Sequence, residues 1–316
     1  MISADLRACA PQSWTLVPLA GGANVQDLAR LADLADLARP ARLAKIWPDA
    51  DRAAACVAAL PSMTVIDGGA ALAMRSLVKV FDGLVAVDGV DLDVPAGSFF
   101  GLLGPNGAGK TTSLSMAVGL LRPTRGRAFV LGHDVWADPV QAKRLLGVLP
   151  DGTRMFDRLT GPELLGYQGL LRGMPAGVID QRAAELLDVF GLADAGRTLV
   201  VDYSAGMKKK IGLACALLHA PRVLVLDEPF EAVDPLSAAT IRDILTRYVA
   251  GGGTVIFSSH VLELVERLCT HVAILADGTI KAVGTLDEVR GGRSLEDVFV
   301  ETVGGRVATG EELSWL

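Results

Sequence analysis

Nine consecutive residues, Gly104, Pro105, Asn106, Gly107, Ala108, Gly109, Lys110, Thr111 and Thr112, carry the strongest chemical signal in the chain. They satisfy the spacing G-x-x-x-x-G-K-[ST] between a strand-like run, SFFGLL, and a helical run, TTSLSMAVGLL, which is the context in which that spacing has a mechanism. Glycines let the backbone close around a chain of phosphates, so that its N–H groups and the start of the helix hold the anion. Lys110 is then expected on the β and γ phosphates and Thr111 on a Mg²⁺ ion. An acidic residue ending a buried strand should complete such an apparatus, and RVLVLDEP supplies two. Asp227 is expected to hold the metal through water, and Glu228 to polarise an attacking water. Alone, an Asp-Glu pair after a strand is a solvated loop start; behind the glycine-rich loop the catalytic reading prevails.

These residues need a scaffold, and the hydrophobic pattern describes one. SLVKVF, VDGVDLDV, SFFGLL and RAFVLG read as strands, with turns at Asp82-Gly83 and Pro95-Ala96-Gly97. Further on, RVLVLD, a helix from about Pro235, GTVIFSS, a helix from Val261, then HVAILA and TIKAV around Asp277-Gly278 alternate strand with helix. That alternation predicts crossover connections and a mainly parallel sheet. Residues 152–220 read as helical: Thr160 and Glu163 form a capping-box signature around Pro162, and Leu186, Leu187 and Phe190 give one helix an apolar side. The expected fold is thus an α/β core with an inserted helical part.

The first 70 residues differ. Leu28, Leu31, Leu34 and Leu37 predict an amphipathic helix stopped near Pro40. Residues 1–70 are read as an appendage or as the product of a start assigned too far upstream, since Met63 and Met74 both precede the first clear strand; residues 304–316 are read as a tail. Composition narrows the function classes. A chain of 316 residues, 51% hydrophobic, can bury a full core, and a net charge of −6 gives no basic footprint for nucleic acid. Mean hydropathy is +0.40, yet no apolar run approaches the about 20 residues of a membrane-spanning helix. Cys9, Cys56, Cys215 and Cys269 lack metal-binding spacing and are read as unpaired thiols in a reducing cytoplasm.

From about residue 74 to 301 these motifs, in this order, resemble the nucleotide-binding domain of an ABC ATPase, a P-loop NTPase core with an antiparallel β subdomain and an inserted helical subdomain. The resemblance implies an ABC ATPase domain over 71–303, with its helical subdomain at about 152–220. It implies ATP and Mg²⁺ as ligands. YSAGMKKK is similar to the family's signature motif: Ser204 and Gly206 match, whereas Tyr203, Ala205 and Met207 depart. In that family the signature faces the γ-phosphate bound to a second subunit, an arrangement that rests on helix-terminus anion binding. Phe81 stands where an aromatic stacks on adenine, His260 where a switch histidine contacts the γ-phosphate, and Asp234 where a D-loop aspartate crosses the dimer interface. Phe230 and Glu231 are unusual in that stretch. Asp151, in GVLPDG, takes the Q-loop position usually held by Gln or Glu; it keeps an oxygen ligand for Mg²⁺ but is shorter by one methylene. Lys208 to Lys210 are expected to form only the solvated face of the signature helix.

The resemblance further implies an ATPase that closes as a dimer, expected to be a homodimer, around two ATP molecules. It would drive a separate multi-span membrane permease from the cytoplasmic side of the membrane. SLEDVFV, Ser294 to Val300, resembles the tail of subunits in multidrug and antibiotic exporters, although Ser294 and Asp297 would also serve as an ordinary helix cap. The alternative expectation is a soluble single-cassette ATPase in a cytosolic assembly; a nucleotide-binding regulator without catalysis is disfavoured by Glu228.

Overall fold

The strand and helix signals are realised as two sheets and the helices that cover them, over residues 69–152 and 155–304, the part of the chain that the computed structural model describes. The helix expected around Leu28–Leu37, the alternative start at Met63, Cys9 and Cys56, and nearly all of the tail lie outside the described residues. The first sheet is antiparallel. Strands β1 (Ala70–Phe81), β2 (Leu84–Pro95), β4 (Arg125–Val130) and β5 (His133–Asp134) lie in the order β2-β1-β4-β5. Asp82 and Gly83 turn the β1–β2 hairpin with positive φ of 46° and 88°, the backbone that a two-residue hairpin requires.

The second sheet has the order β10-β9-β3-β8-β7-β6. Its strands are β3 (Phe99–Leu103), β6 (Leu146–Leu149), β7 (Val223–Leu226), β8 (Thr254–Ser259), β9 (His271–Ala276) and β10 (Thr279–Thr285). All run parallel except β10, which folds back on β9. Every residue of β3, β7 and β8 is buried, as expected of a parallel sheet covered on both faces. Alternate side chains feed two cores. Phe100, Leu102, Val223, Val225 and Ile256 join β1, β2 and the helix α1 (Lys110–Ala117) in one, while Phe99, Leu103, Leu224, Leu226, Val255 and Phe257 pack with helices in the other.

The remaining helices are α2 (Pro139–Leu145), α3 (Gly161–Leu171), α4 (Ala176–Val189), α5 (Ala205–Leu217), α6 (Pro235–Ala250), α7 (Leu262–Leu268), α8 (Leu286–Arg290) and α9 (Leu295–Val303). Between β6 and β7 lie α3, α4 and α5. The capping box at Thr160 is present: its N–H donates to Glu163 Oε2 at 2.9 Å, and Glu163 N–H returns to Thr160 Oγ1 at 3.4 Å. Leu187 and Phe190 are buried and Leu186 packs beside them. Ser294 caps α9 by accepting from Asp297 N at 3.0 Å, and Leu295 and Val298 enter the core, so SLEDVFV forms a docked helix. No helix among the described residues is long and apolar enough to cross a membrane.

Some expectations need correction. Met74 does not precede the first strand: β1 starts at Ala70, and Met74 is buried within it. A chain begun there would lack the strand's first turn of pairing with Val94 and Pro95. RAFVLG stops at Val130 because Leu131 and Gly132 take positive φ and turn the chain into β5. Neither β6 nor α2 was anticipated; LGVL follows α2 without a turn residue, and a four-residue apolar run has no period of its own. Gly147 lets β6 press against α5, since a Cβ there would stand 2.4 Å from the Ala216 carbonyl oxygen. Cys215 and Cys269 are free, and burial raises both thiols, Cys215 to about 12.

Candidate active site

The loop Gly104–Gly109 joins β3 to α1, and its glycines are required by close approach. A Cβ at Gly104 would lie 2.3 Å from the Leu275 carbonyl oxygen, and one at Gly109, whose φ is +100°, would lie 2.6 Å from that of Ala86. Gly107 also has positive φ but faces open space, which leaves a cradle on the outer side of the loop. The loop is pinned from behind by one hairpin turn: Gly278 N–H donates to the Ala108 carbonyl at 3.1 Å, and Asp88 N–H on β2 donates to the Gly278 carbonyl at 2.8 Å. Both sheets therefore meet at the loop. Thr111 and Thr112 fall in the first turn of α1, with Thr111 exposed.

Lys110 opens α1 and is only 6% exposed. Its ammonium donates to the Gly104 and Pro105 carbonyls at 2.7 and 3.2 Å and lies 4.0 Å from Glu228 Oε1. Burial lowers its pKa, opposed by the nearby charges of Glu228 and Asp227. Asp227 leaves β7 almost wholly buried and accepts from Ser258 Oγ. The same Ser258 oxygen accepts from Glu228 N–H at 2.9 Å, so one hydroxyl fixes both acidic residues. Glu228 itself has φ of +46°, a left-handed backbone uncommon for a residue with a side chain. Its carboxylate, with the side chain 14% exposed, reaches His260 Nδ1 at 3.1 Å through Oε2.

The remaining expected positions stand around this centre. Asp151, just beyond β6, lies 3.6 Å from Lys209 Nζ through Oδ1. Phe81, at the end of β1, is 42% exposed, with Lys79 Nζ 4.9 Å from its ring centroid. Ser204 is the N-cap of α5 and accepts from Met207 N–H at 3.2 Å. Gly206 lies in the first turn, where a Cβ would stand 3.5 Å from Asp234 Oδ2. Asp234 in turn caps α6, accepting from Ser237 N–H at 2.9 Å, and hydrogen bonds from Ser237 hold its pKa below the usual carboxylate range. The fold thus brings Lys110, Asp227, Glu228 and His260 together. Among the described residues, no hydrogen bond or ion pair joins Ser204, Gly206 or Asp234 to the loop 104–112.

Two residues of the centre were not anticipated. Ser258 belongs to the apolar-looking run TVIFSS, and its position opposite Asp227 follows only from the parallel pairing Leu226↔Phe257, one residue earlier. Lys209 corrects the reading of Lys208 to Lys210 as a purely solvated face. Its side chain is 17% exposed and its ammonium donates to the Glu228 carbonyl at 2.8 Å, while Lys208 Nζ donates to the Val201 carbonyl at 3.0 Å. The reason is packing: α5 lies against β6, so its first turns face the end of the sheet.

Oxygen donors from Thr111 and Asp227 suit a hard cation. Among the described residues, no group of three or more His, Cys, Asp or Glu is placed to hold a metal alone, so a cation here would draw ligands from a bound phosphate. The glycine cradle, the buried lysine and the paired acids fit that requirement.

Residues 87–231 match the family model described as ABC transporter. Over 220 residues the chain is 40% identical to the daunorubicin/doxorubicin resistance ATP-binding protein DrrA of Streptomyces peucetius, covering 70% of this chain and 67% of that protein. It is 33% identical to the linearmycin resistance ATP-binding protein LnrL of Bacillus subtilis, over 74% of this chain and 75% of the relative. A solved structure of the ATP-binding subunit of an ABC transporter superposes with a TM-score of 0.69 at 30% identity, covering 73% of this chain and 98% of that one. The chain belongs to the ABC transporter family. Within it, the chain is an ATP-binding subunit and an ATPase, with the α/β P-loop fold of those cassettes.

Proposed function

We propose that the chain is the ATP-hydrolysing subunit of an exporter, closing as a homodimer around two ATP molecules and driving a separate multi-span permease from the cytoplasmic face of the membrane. The observation that carries the catalytic part is the Lys110–Glu228–His260 cluster, with Glu228 4.0 Å from the lysine and 3.1 Å from the histidine. In this reading the loop 104–112 binds the phosphates through its N–H groups, with Pro105, Asn106 and Ala108 shaping the turn, and Lys110 neutralises the β and γ oxygens. Mg²⁺, when bound through Thr111, Asp227 and Asp151, would offset charge on the transferring phosphate. Glu228 takes a proton from the attacking water, and His260, held against Glu228, faces the γ-phosphate. Phe81 stacks on the adenine. Ser204 and Gly206, at the positive end of α5, and Asp234 complete the site of a second copy. Asp151→Ala with unchanged activity and unchanged Mg²⁺ dependence would remove Asp151 from this scheme.

Export is supported by the relatives' names, which attach to antibiotic resistance. The test is to tag the chain in its native cell, solubilise membranes in mild detergent and identify what co-purifies. A stoichiometric multi-span protein is expected; recovery solely with a cytosolic assembly would refute the transporter role and leave the ATP site intact.

Ser258→Ala gives a sharper check on the centre. It removes the hydroxyl that positions Asp227 and Glu228 together. Steady-state phosphate release is expected to show kcat lowered roughly tenfold, with KM for ATP little changed, because about 1–3 kcal/mol attaches to an abandoned buried hydrogen-bond partner.

A further inference from the structure

We infer that Lys209 is a positioning residue for Glu228, held in place by Asp151, so that the signature helix, the loop after β6 and the catalytic carboxylate of one chain form a single linked unit. The inference rests on the reading of Glu228 as the base. Glu228 occupies a left-handed backbone conformation at φ +46°, uncommon and unfavourable for a residue with a Cβ. The holding groups are identifiable. Ser258 Oγ fixes the N–H at 2.9 Å, and Lys209 Nζ fixes the carbonyl at 2.8 Å. Both peptide groups are thus anchored, and from this backbone the side chain reaches Lys110 and His260.

Lys209 is itself constrained. Its ammonium is bracketed by the Glu228 carbonyl and by Asp151 Oδ1 at 3.6 Å, and the side chain is 17% exposed, too little for an unattached lysine. The charge therefore gains its second partner from the segment that carries Asp151, beyond β6. Movement of that segment releases Lys209, and through it the Glu228 carbonyl. Three sequence-distant pieces are involved: α5, the loop after β6 and the end of β7. The Glu228 carbonyl also accepts from Glu231 N–H at 3.3 Å, so loss of Lys209 leaves it satisfied and the fold intact.

The test compares Lys209→Met, Lys209→Gln and Lys209→Arg in the full chain, alone and with Asp151→Asn, by ATPase kinetics, nucleotide binding and thermal unfolding. Lys209→Met and Lys209→Gln are expected to lower kcat about tenfold while KM, ATP affinity and unfolding temperature stay near wild type, as for a residue that positions a charged-group contact. Lys209→Arg is expected to recover most of the rate. Asp151→Asn should slow Lys209→Met by a clearly smaller factor than it slows the wild type, because the part of its effect that passes through the lysine is already lost while its Mg²⁺ contact is not. Wild-type kcat in Lys209→Met, or multiplying effects of the two substitutions, would overturn the inference. Glu228→Gln run in parallel separates the two levels: if it hydrolyses ATP normally, the reading of the base fails and this inference with it, whereas an inactive Glu228→Gln beside an unslowed Lys209→Met defeats the linkage alone.

Discussion

Glu228→Gln is expected to bind ATP with near wild-type affinity and to hydrolyse it about 10²–10⁴ times more slowly, the range associated with loss of a general base. The amide keeps the size of the carboxylate, so the left-handed turn at 228, its Ser258 and Lys209 anchors and the approach to His260 survive. Only the proton acceptor is lost. With hydrolysis blocked, ATP should hold two copies together, since in the proposed scheme nucleotide bound at a shared interface favours closure and its cleavage releases it. Size-exclusion chromatography with ATP at high protein concentration should show a dimer that vanishes when ATP is withdrawn. A variant that stays monomeric under those conditions would refute closure around two nucleotides, and one that hydrolyses at the wild-type rate would refute Glu228 as the base.

Lys110→Ala should act earlier, at binding. The ammonium is nearly buried and points at the Gly104 and Pro105 carbonyls from within the loop that is proposed to bind the phosphates. Its removal deletes charge-assisted hydrogen bonds of about 1.5–3 kcal/mol, which corresponds to roughly 10–100-fold in nucleotide affinity. Hydrolysis should fall below detection at ordinary ATP concentrations. The loop's path should persist although the Gly104 and Pro105 carbonyls lose their lysine donor, since Gly104 and Gly109 are packed against Leu275 and Ala86. Isothermal titration with ATP decides the matter: unchanged affinity would mean that Lys110 serves the loop's own carbonyls and nothing else.

Much of this was legible in the sequence because it rests on local chemistry. The glycine-rich loop carries its own spacing, the strand RVLVLD ends visibly in its acids, and the capping box at Thr160 is written in four residues. The partners of those residues were not legible in the same way. Ser258 acts because β8 lies beside β7 in parallel register, and Lys209 acts because Gly147 allows β6 close against α5. Both depend on which elements are neighbours, a fact of topology that no window of sequence contains. Likewise β6 itself, four apolar residues joined directly to α2, gave no boundary to find.

The turn at Asp277-Gly278 would ordinarily be chosen to carry an affinity tag or a fluorescent insertion, since a two-residue hairpin tip tolerates added chain well. Here its glycine bonds at once to Asp88 on β2 and to Ala108 in the phosphate-type loop, with a Cβ only 3.0 Å from the Ala86 carbonyl. Engineering at that tip would thus read out as lost nucleotide affinity rather than as a silent label, whereas Gly291-Gly292, with open space at both Cβ positions, offers a site for a probe that leaves the loop undisturbed.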